Sequence, residues 1–206
     1  MLPLLFYKPF FWNIKTIVWD YDGTLWQNNK LGNKLKKRYI QLLSKSLNKA
    51  ITEKYFDKQT KKHQTWSNVI YKHTKIPQKI ILNKAEKGFN KNKYIKNNQK
   101  LVNYIEKLTK FQHIILTNSR YQNTIKGLKK LGFKNNYPFK KIFARDNSPF
   151  IKPSPKAFQQ ILNYTKNPPK THLMIGDSFY NDINPAHKLG FKTMHINKFK
   201  KLSKIN

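Results

Sequence analysis

The sequence predicts an α/β fold with a mostly parallel sheet and an inserted helical region. From about residue 99 onward, short apolar segments alternate with segments of helical periodicity, which is typical of βαβ units. Between about residues 27 and 98 the chain is polar, rich in lysine and helical in period throughout. We therefore predict a sheet-containing core formed by residues 1–26 and 99–206, interrupted by an all-helical insertion at 27–98.

The first predicted strand runs from Ile14 to Asp20 and consists mainly of apolar, β-branched residues. Asp20 and Asp22 appear where this strand should end, and Gly23 follows, as expected where a strand breaks into a tight turn. A buried carboxylate is costly unless it is paired or bound to a metal. The most economical explanation of this pair is a Mg²⁺ site.

The insertion is predicted to hold three or more helices. Its first helix has apolar residues at helical spacing, and Phe56 to Ile70 suggest a second helix or a pair. Pro77 is expected to open a further helix, and the asparagine-rich segment 90–98 is expected to be a loop or hinge. The apolar positions of the first helix are Leu35, Tyr39, Leu42, Leu43 and Leu47.

The remainder of the chain predicts four further strands separated by helices on both faces of the sheet. A final basic segment from Lys198 is expected to be loose. The predicted strands are His113 to Thr117, Lys141 to Ala144, His172 to Gly176 and Lys192 to Ile196. The predicted helices begin near Leu101 and cover Tyr121 to Leu131, Pro155 to Tyr164 and Pro185 to Leu189.

The composition limits the function classes. There is no cysteine, which excludes disulfides and thiolate metal sites and fits a cytoplasmic location. No apolar run approaches the length of a membrane span, and the apolar start, Met1 to Trp12, is a poor signal peptide expected to pack on the core or to be partly disordered. The net charge of +33 has two interpretations: a nucleic-acid or anionic-membrane partner, or compositional drift. The spread of lysines along the chain favours drift together with a preference for anionic substrates.

In an open parallel sheet, ligands bind beyond the carboxyl ends of the strands. Four segments are predicted to meet there, and their chemistry fits phosphoryl transfer. Asp20 would be the nucleophile, and Asp22 would protonate the leaving oxygen and then activate water. Asp20, Asp177 and the backbone carbonyl of Asp22 would bind Mg²⁺. The Thr117 hydroxyl, the loop amides around Asn118 and the Lys152 ammonium would hold the phosphate.

Four motifs occur in this order: Asp20-Tyr21-Asp22-Gly23-Thr24, Leu116-Thr117-Asn118-Ser119, Lys152-Pro153 and Gly176-Asp177-Ser178-Phe179-Tyr180-Asn181-Asp182. Together they resemble the motifs of the haloacid dehalogenase-like hydrolases. The resemblance implies a Rossmann-like, three-layer core, with the helical insertion as a cap. It also implies that Lys152 orients Asp20 and that Asp182 supports the metal shell, although Asp182 is alternatively the N-cap of the next helix.

The second acid of the first motif, Asp22, narrows the choice of reaction. Dehalogenases of this family need no acid at this position, because they have no oxygen leaving group to protonate. Asp22 therefore favours a Mg²⁺-dependent phosphatase acting on a small phosphorylated metabolite of the sugar phosphate, phosphoglycolate or nucleotide type. A phosphomutase is one alternative. A basic nucleic-acid-binding protein or nucleic-acid end phosphatase is another, and nucleic acid is the less favoured partner. The sequence leaves the choice between monomer and dimer open.

Overall fold

The computed structural model describes residues 12–135 and 137–203. This part of the chain folds into two compact units. The sheet unit contains the described residues before position 28 and after position 94, and the helical unit contains residues 28–94. The first 11 residues lie outside the described residues, so the predicted packing of the apolar start stays a prediction there. Among the described residues, no helix is both long and apolar enough to cross a membrane.

The helical unit, described along its whole backbone, contains four α-helices and a 3₁₀ turn at Lys91–Tyr94. The helices are α1 Asn29–Leu47, α2 Glu53–His63, α3 Trp66–Thr74 and α4 Gln78–Glu86. The first three begin after a capping side chain, because Asn28, Thr52 and Thr65 each accept a hydrogen bond from a backbone N–H in the first turn. All four helices contribute to one core, made of Tyr39, Leu43, Phe56, Val69, Ile70, Ile81 and Ala85.

The sheet unit is built on a parallel sheet, as predicted. Its strands are β1 Thr16–Trp19, β2 Gln112–Leu116, β3 Phe139–Phe143, β4 His172–Gly176 and β5 Lys192–His195. The strand order β3-β2-β1-β4-β5 places the first strand at the centre. Trp19 lies beside Ile115 of β2 and Ile175 of β4. The chain therefore leaves the three central strands at the same edge of the sheet.

Helices cover both faces of this sheet. They are α5 Gln99–Glu106, α6 Tyr121–Leu131, α7 Pro155–Thr165, α8 Asn184–Lys188 and α9 Ile196–Ser203. Successive strand residues point to opposite faces. Val18 packs in a cluster with Phe158 of α7 and Ala186 of α8, whereas Trp19 contacts Phe199 of α9 with ring centroids 5.2 Å apart. This arrangement confirms the three-layer α/β prediction.

The prediction of a loose segment from Lys198 is wrong as far as Ser203. Helix α9 begins directly after β5, and Phe199 within it is only 1% exposed. Its ring meets Trp19 on one side and Tyr104 of α5 on the other, with centroids 5.5 Å apart in the second pair. Lys198 and Lys201, two of the lysines that suggested a solvated tail, are exposed on this amphipathic helix, and Lys200 is half-buried.

Candidate active site

Asp20 is a buried carboxylate directly after β1, with 5% of its surface exposed. Its backbone N–H donates to the carbonyl oxygen of Ile175 at 2.9 Å, which extends the pairing of β1 with β4 by one residue. The Thr24 hydroxyl donates to its Oδ2 atom at 3.0 Å, and the Lys152 ammonium lies 2.5 Å from its Oδ1 atom. Both oxygens of the carboxylate are therefore hydrogen-bonded, as burial requires.

The Lys152 ammonium lies between two carboxylates. It is 2.5 Å from Oδ1 of Asp20 and 2.5 Å from Oδ1 of Asp182. The Asn118 side chain fixes the Lys152 backbone in a reciprocal pair, accepting from its N–H at 2.9 Å and donating to its carbonyl at 2.9 Å. The Asn118 side chain thus orients the lysine. The predicted role of the backbone amides around Asn118 in holding phosphate stays a prediction.

Three carboxylates converge at this edge of the sheet. Oxygens of Asp20, Asp177 and Asp182 all lie within 4.8 Å of one another. Asp182 is buried, and its Oδ2 atom accepts a hydrogen bond from the backbone N–H of Ser178 at 3.0 Å. It lies inside a π-helical turn, Phe179–Ile183, and not at the position before α8, so it is not the N-cap of that helix. Asp182 is instead part of the carboxylate cluster.

The cluster carries more negative than positive charge, since three carboxylates face one ammonium. Burial raises the pKa of Asp20 well above its ordinary value; Lys152 lowers that pKa, whereas the charges of Asp182 and Asp177 raise it. Desolvation and then the charge of Asp182 also raise the pKa of Asp177, although part of this residue is exposed. Burial lowers the pKa of Lys152, but the two carboxylates outweigh it and leave that pKa raised.

This donor set fits a magnesium ion. Mg²⁺ prefers oxygen ligands and is commonly held by one or two carboxylates. Gly23, with φ of +89°, lies so close to Asp177 that a Cβ at this position would overlap the Asp177 carboxylate. Because their carboxylates converge at this edge of the sheet, Asp20 and Asp177 could hold the ion. The charge of the ion would offset the excess of negative charge among the carboxylates.

Asp22 has a different environment from Asp20. The Asp22 residue as a whole is half-buried, although its Oδ1 atom is shielded from solvent, and its Oδ2 atom accepts a hydrogen bond from the Ser119 hydroxyl. Its side chain is not among the three carboxylates that converge. The predicted ligand at this position is the backbone carbonyl, and this stays a prediction. The two aspartates thus differ in their partners, because Asp20 contacts the Lys152 ammonium as well as a hydroxyl, whereas Asp22 accepts from the Ser119 hydroxyl.

The loop after β2 brings the second motif to the same edge. Thr117 is 3% exposed, and its hydroxyl accepts a hydrogen bond from the backbone N–H of Ser119 at 3.0 Å. This contact turns the chain tightly, so that Ser119 reaches Asp22 while Asn118 reaches Lys152. One three-residue loop therefore positions side chains that belong to two other motifs.

Three residues of this region were missed by the sequence prediction of the site. Thr24 donates a hydrogen bond to Asp20, and Ser119 donates one to Asp22. Thr24 and Ser119 lie within two of the four motifs, and this position could have identified them as site residues. Arg145, in the loop after β3, is completely buried, and its backbone N–H donates to the Ser119 carbonyl at 3.0 Å. Arginine is rare in this chain, since only three of the 42 lysines and arginines are arginine. This rarity could have singled out Arg145 in the sequence.

Comparison with known protein families agrees with this geometry. The family model for haloacid dehalogenase-like hydrolases matches residues 17–196. The chain belongs to this family. Membership makes it a hydrolase and confirms the family that the four motifs predict. No curated protein sequence matches the chain significantly.

Solved structures with the same fold are distant in sequence. A Lactobacillus plantarum protein proposed to be a phosphoglycolate phosphatase is 18% identical, with a TM-score of 0.62 over 89% of this chain and 86% of that one. CbbY from Rhodobacter sphaeroides, in complex with phosphate, is 17% identical, with a TM-score of 0.61 over 88% and 85%. The enzyme bt-2542 from Bacteroides thetaiotaomicron, in complex with magnesium and inorganic phosphate, is 19% identical, with a TM-score of 0.53 over 88% and 93%. At these identities the likeness concerns the fold of this hydrolase.

Proposed function

We propose that this hydrolase is a Mg²⁺-dependent phosphatase that cleaves a small phosphorylated metabolite through an aspartyl-phosphate. The observation that carries the proposal is the contrast between Asp20 and Asp22. Asp20 is buried against the Lys152 ammonium, whereas Asp22 is half-buried against the Ser119 hydroxyl. Two carboxylates in different environments suit two different roles in one reaction.

Asp20 is the nucleophile in this proposal. One of its carboxylate oxygens attacks phosphorus, and the bond from phosphorus to the leaving oxygen breaks in line with the attack. The Lys152 ammonium, 2.5 Å from Oδ1, favours the ionised carboxylate and offsets charge on the phosphoryl oxygens. The Thr24 hydroxyl, 3.0 Å from Oδ2, holds the carboxylate in one orientation.

Asp22 is the acid and base. It gives its proton to the leaving oxygen in the first step. In the second step it takes a proton from the water that attacks phosphorus, and the bond between phosphorus and Asp20 breaks, so that phosphate is released. The Ser119 hydroxyl fixes the Asp22 carboxylate for both steps.

Asp20, Asp177 and the backbone carbonyl of Asp22 would hold the Mg²⁺, with Asp182 beside them. When bound, the ion offsets the repulsion between the carboxylates and an anionic substrate. The neighbour bt-2542, crystallised with magnesium and inorganic phosphate, supports this assignment through the shared fold. The crowding of three carboxylates within 4.8 Å supports it from this chain.

The substrate is a small phosphate ester in this proposal. We assign its selection to the helical unit acting as a cap, because residues 28–94 are inserted between Asp22 and Thr117. A second CbbY structure contains xylulose-1,5-bisphosphate, and another neighbour is proposed to be a phosphoglycolate phosphatase. These names support a sugar phosphate or phosphoglycolate type. A cytoplasmic location stays a prediction.

The test uses the purified full chain and a generic aryl phosphate. We expect phosphate release with Mg²⁺, loss of release in chelator, and no release by the Asp20→Asn variant. Asp57→Asn is the matched control, since Asp57 pairs with Lys36 in the helical unit and should not affect turnover. Turnover by Asp20→Asn at the wild-type rate would overturn the mechanism. A panel of phosphorylated metabolites then separates a phosphatase, which releases phosphate, from a mutase, which moves it within one sugar.

A further inference from the structure

The helical unit carries a large and uncompensated positive charge. Residues 28–94 contain 18 lysines and arginines and three acids, a net charge of +15. All three acids are paired within the unit: Glu53 and Asp57 both contact Lys36, at 2.7 and 2.8 Å, and Glu86 lies 3.6 Å from Lys91. The other cations therefore set the potential around the unit, which attracts polyanions.

A pair of aromatic rings interrupts this basic surface. Phe89 and Tyr94 are both half-buried and lie nearly parallel, with an interplanar angle of 14° and centroids 6.3 Å apart. Three cations lie against the rings, each 5.4 Å from a ring centroid. Lys34 and Lys93 contact Tyr94, and Arg38 contacts Phe89. We call these five residues the aromatic–basic cluster.

The cluster is braced by α1. Lys34 and Arg38 are four residues apart, so they lie on one face of this helix. Lys34 donates to the Tyr94 hydroxyl at 3.1 Å, and this hydrogen bond lowers the pKa of Tyr94. Arg38 donates to the carbonyls of Ala85 and Lys87, at 2.6 and 2.5 Å, beyond which the chain continues to Phe89. Both rings are thus held in place before any ligand arrives, which reduces the entropy lost on binding.

Charge is segregated around α1. Lys36, which holds Glu53 and Asp57, is two residues from both Lys34 and Arg38 and therefore lies on the opposite side of the helix. Exposed Lys30 extends the row of Lys34 and Arg38 by one turn. The face bearing the rings is therefore basic, and two of the three acids of the unit lie away from it.

We propose that the aromatic–basic cluster binds single-stranded nucleic acid. Bases stack on Phe89 and Tyr94, while the lysines and the arginine face the phosphodiester chain, the combination used by proteins that bind unpaired strands. A duplex fits less well, since its bases are already stacked on one another. The binding does not depend on the chemistry of Asp20, so it is independent of the proposed phosphatase.

The test measures fluorescence anisotropy of a labelled oligothymidylate of about 12 nucleotides, added to the full chain. A duplex with the same number of phosphates, thymidine monophosphate and phosphatidylserine vesicles are the comparison ligands. We expect the single strand to bind at least about fivefold more tightly than the duplex, because stacking contributes to the strand alone. Affinity should fall steeply between about 50 and 200 mM salt.

The decisive variant is the double change Phe89→Leu and Tyr94→Leu, which keeps the charge. It should weaken strand binding at least about fivefold and leave duplex binding unchanged. The matched control is Tyr55→Leu with Tyr71→Leu, two exposed tyrosines of the same unit, 38% and 39% exposed. Lys34→Gln, compared with Lys45→Gln on the same helix, tests the cluster with both rings kept, and thermal melting verifies that each variant is folded.

Three results would overturn the proposal. The first is equal affinity for strand and duplex, which indicates general charge attraction. The second is equal weakening by the control pair of tyrosines. The third is a mononucleotide or vesicle affinity that matches the strand and responds to the same variants, which assigns the cluster to a nucleotide or a lipid surface. Strand binding by Asp20→Asn should equal that of the wild type, whether or not the chain is a phosphatase.

Discussion

The Nζ atom of Lys152 lies 2.5 Å from the Oδ1 atom of Asp20, although the two residues are 132 positions apart. Both side chains are almost fully buried. A buried charge without a partner is strongly destabilising, so Lys152 stabilises Asp20 in the interior, and Asp20 together with Asp182 stabilises Lys152. The contact with Asp20 orients the proposed nucleophile, and fold stability and activity therefore both depend on Lys152.

Replacing Lys152 by methionine should reduce both properties. We expect turnover to fall at least about a hundredfold, because a charge-stabilising group is lost. The free energy of unfolding should fall by about 3–5 kcal/mol, since the buried carboxyl groups of Asp20 and Asp182 lose their cationic partner. Aryl phosphate kinetics and urea denaturation measure the two effects. Lys156→Met, an exposed position on α7, is the control, and equal urea midpoints for the two variants would contradict the prediction.

Gly23 should not tolerate a side chain. With φ at +89° and the Asp177 carboxylate in the place of a Cβ, Gly23→Ala is expected to cost more than about 1 kcal/mol and to displace Asp177. Gly32→Ala is the matched control, because its would-be Cβ in α1 meets nothing within 4 Å beyond its chain neighbours and the backbone of its own helix. That change should stabilise the chain by about 0.5–1 kcal/mol. Denaturation curves showing the same sign for both variants would refute this account.

Replacing Ser119 should lower the rate of the chemical step more than it changes the binding of Mg²⁺. Ser119→Ala removes the hydrogen bond to Asp22, so the acid and base loses its fixed orientation. We expect kcat to fall about tenfold or more, with the Mg²⁺ concentration for half-maximal activity unchanged. Ser46→Ala, which removes a hydroxyl bonded to the Leu42 carbonyl in α1, is the control. A changed metal requirement with normal kcat would reverse the assignment.

His113 should make stability depend on pH. Its Nδ1 atom accepts from the Trp19 indole at 3.0 Å, so Nε2 carries the proton and donates to the Leu108 carbonyl at 3.0 Å. Burial lowers the pKa of His113, although the Leu108 carbonyl raises it. The unfolded chain therefore binds the proton more readily than the folded chain. The stabilisation that neutral His113 contributes to the free energy of unfolding is present above about pH 6.5 and is lost as pH falls.

The variant His113→Gln isolates this effect. The difference in unfolding free energy between wild type and variant should be largest near about pH 7.5 and should shrink toward about pH 5. The raised pKa of Asp20 acts in the opposite direction, favouring the folded state as pH falls, but it is common to both proteins and cancels in the difference. A difference that does not change with pH would contradict the prediction.

Magnesium should stabilise the folded chain. At about 100 times its dissociation constant, an ion that binds only the folded state adds about 2.7 kcal/mol, which corresponds to about 5–10 °C in melting temperature for a chain of this size. Differential scanning calorimetry with Mg²⁺ and with chelator measures the shift. Asp177→Asn should abolish it and Asp57→Asn should keep it. An equal shift in both variants would place the ion elsewhere.

Much of the sheet unit was predictable because its signals are local. Alternating apolar and helical segments predicted the strands, and β4 and α6 have the predicted bounds. The segment from Lys198 was mispredicted because a lysine-rich composition obscured Ile196 and Phe199, whose burial depends on Trp19 and Tyr104. Amphipathic spacing was present, but the surface that it packs against lies far away in the chain.

By itself the sequence determined the fold class, the family and the motifs that meet at one edge of the sheet. Only the tertiary structure decided which side chains touch there. Lys152 joins Asp20 to Asp182, Ser119 reaches Asp22, and the row of Lys34 and Arg38 meets the rings of the aromatic–basic cluster. Periodicity is a property of neighbouring residues, whereas these contacts depend on strand register and loop path, which bring together residues separated by tens of positions.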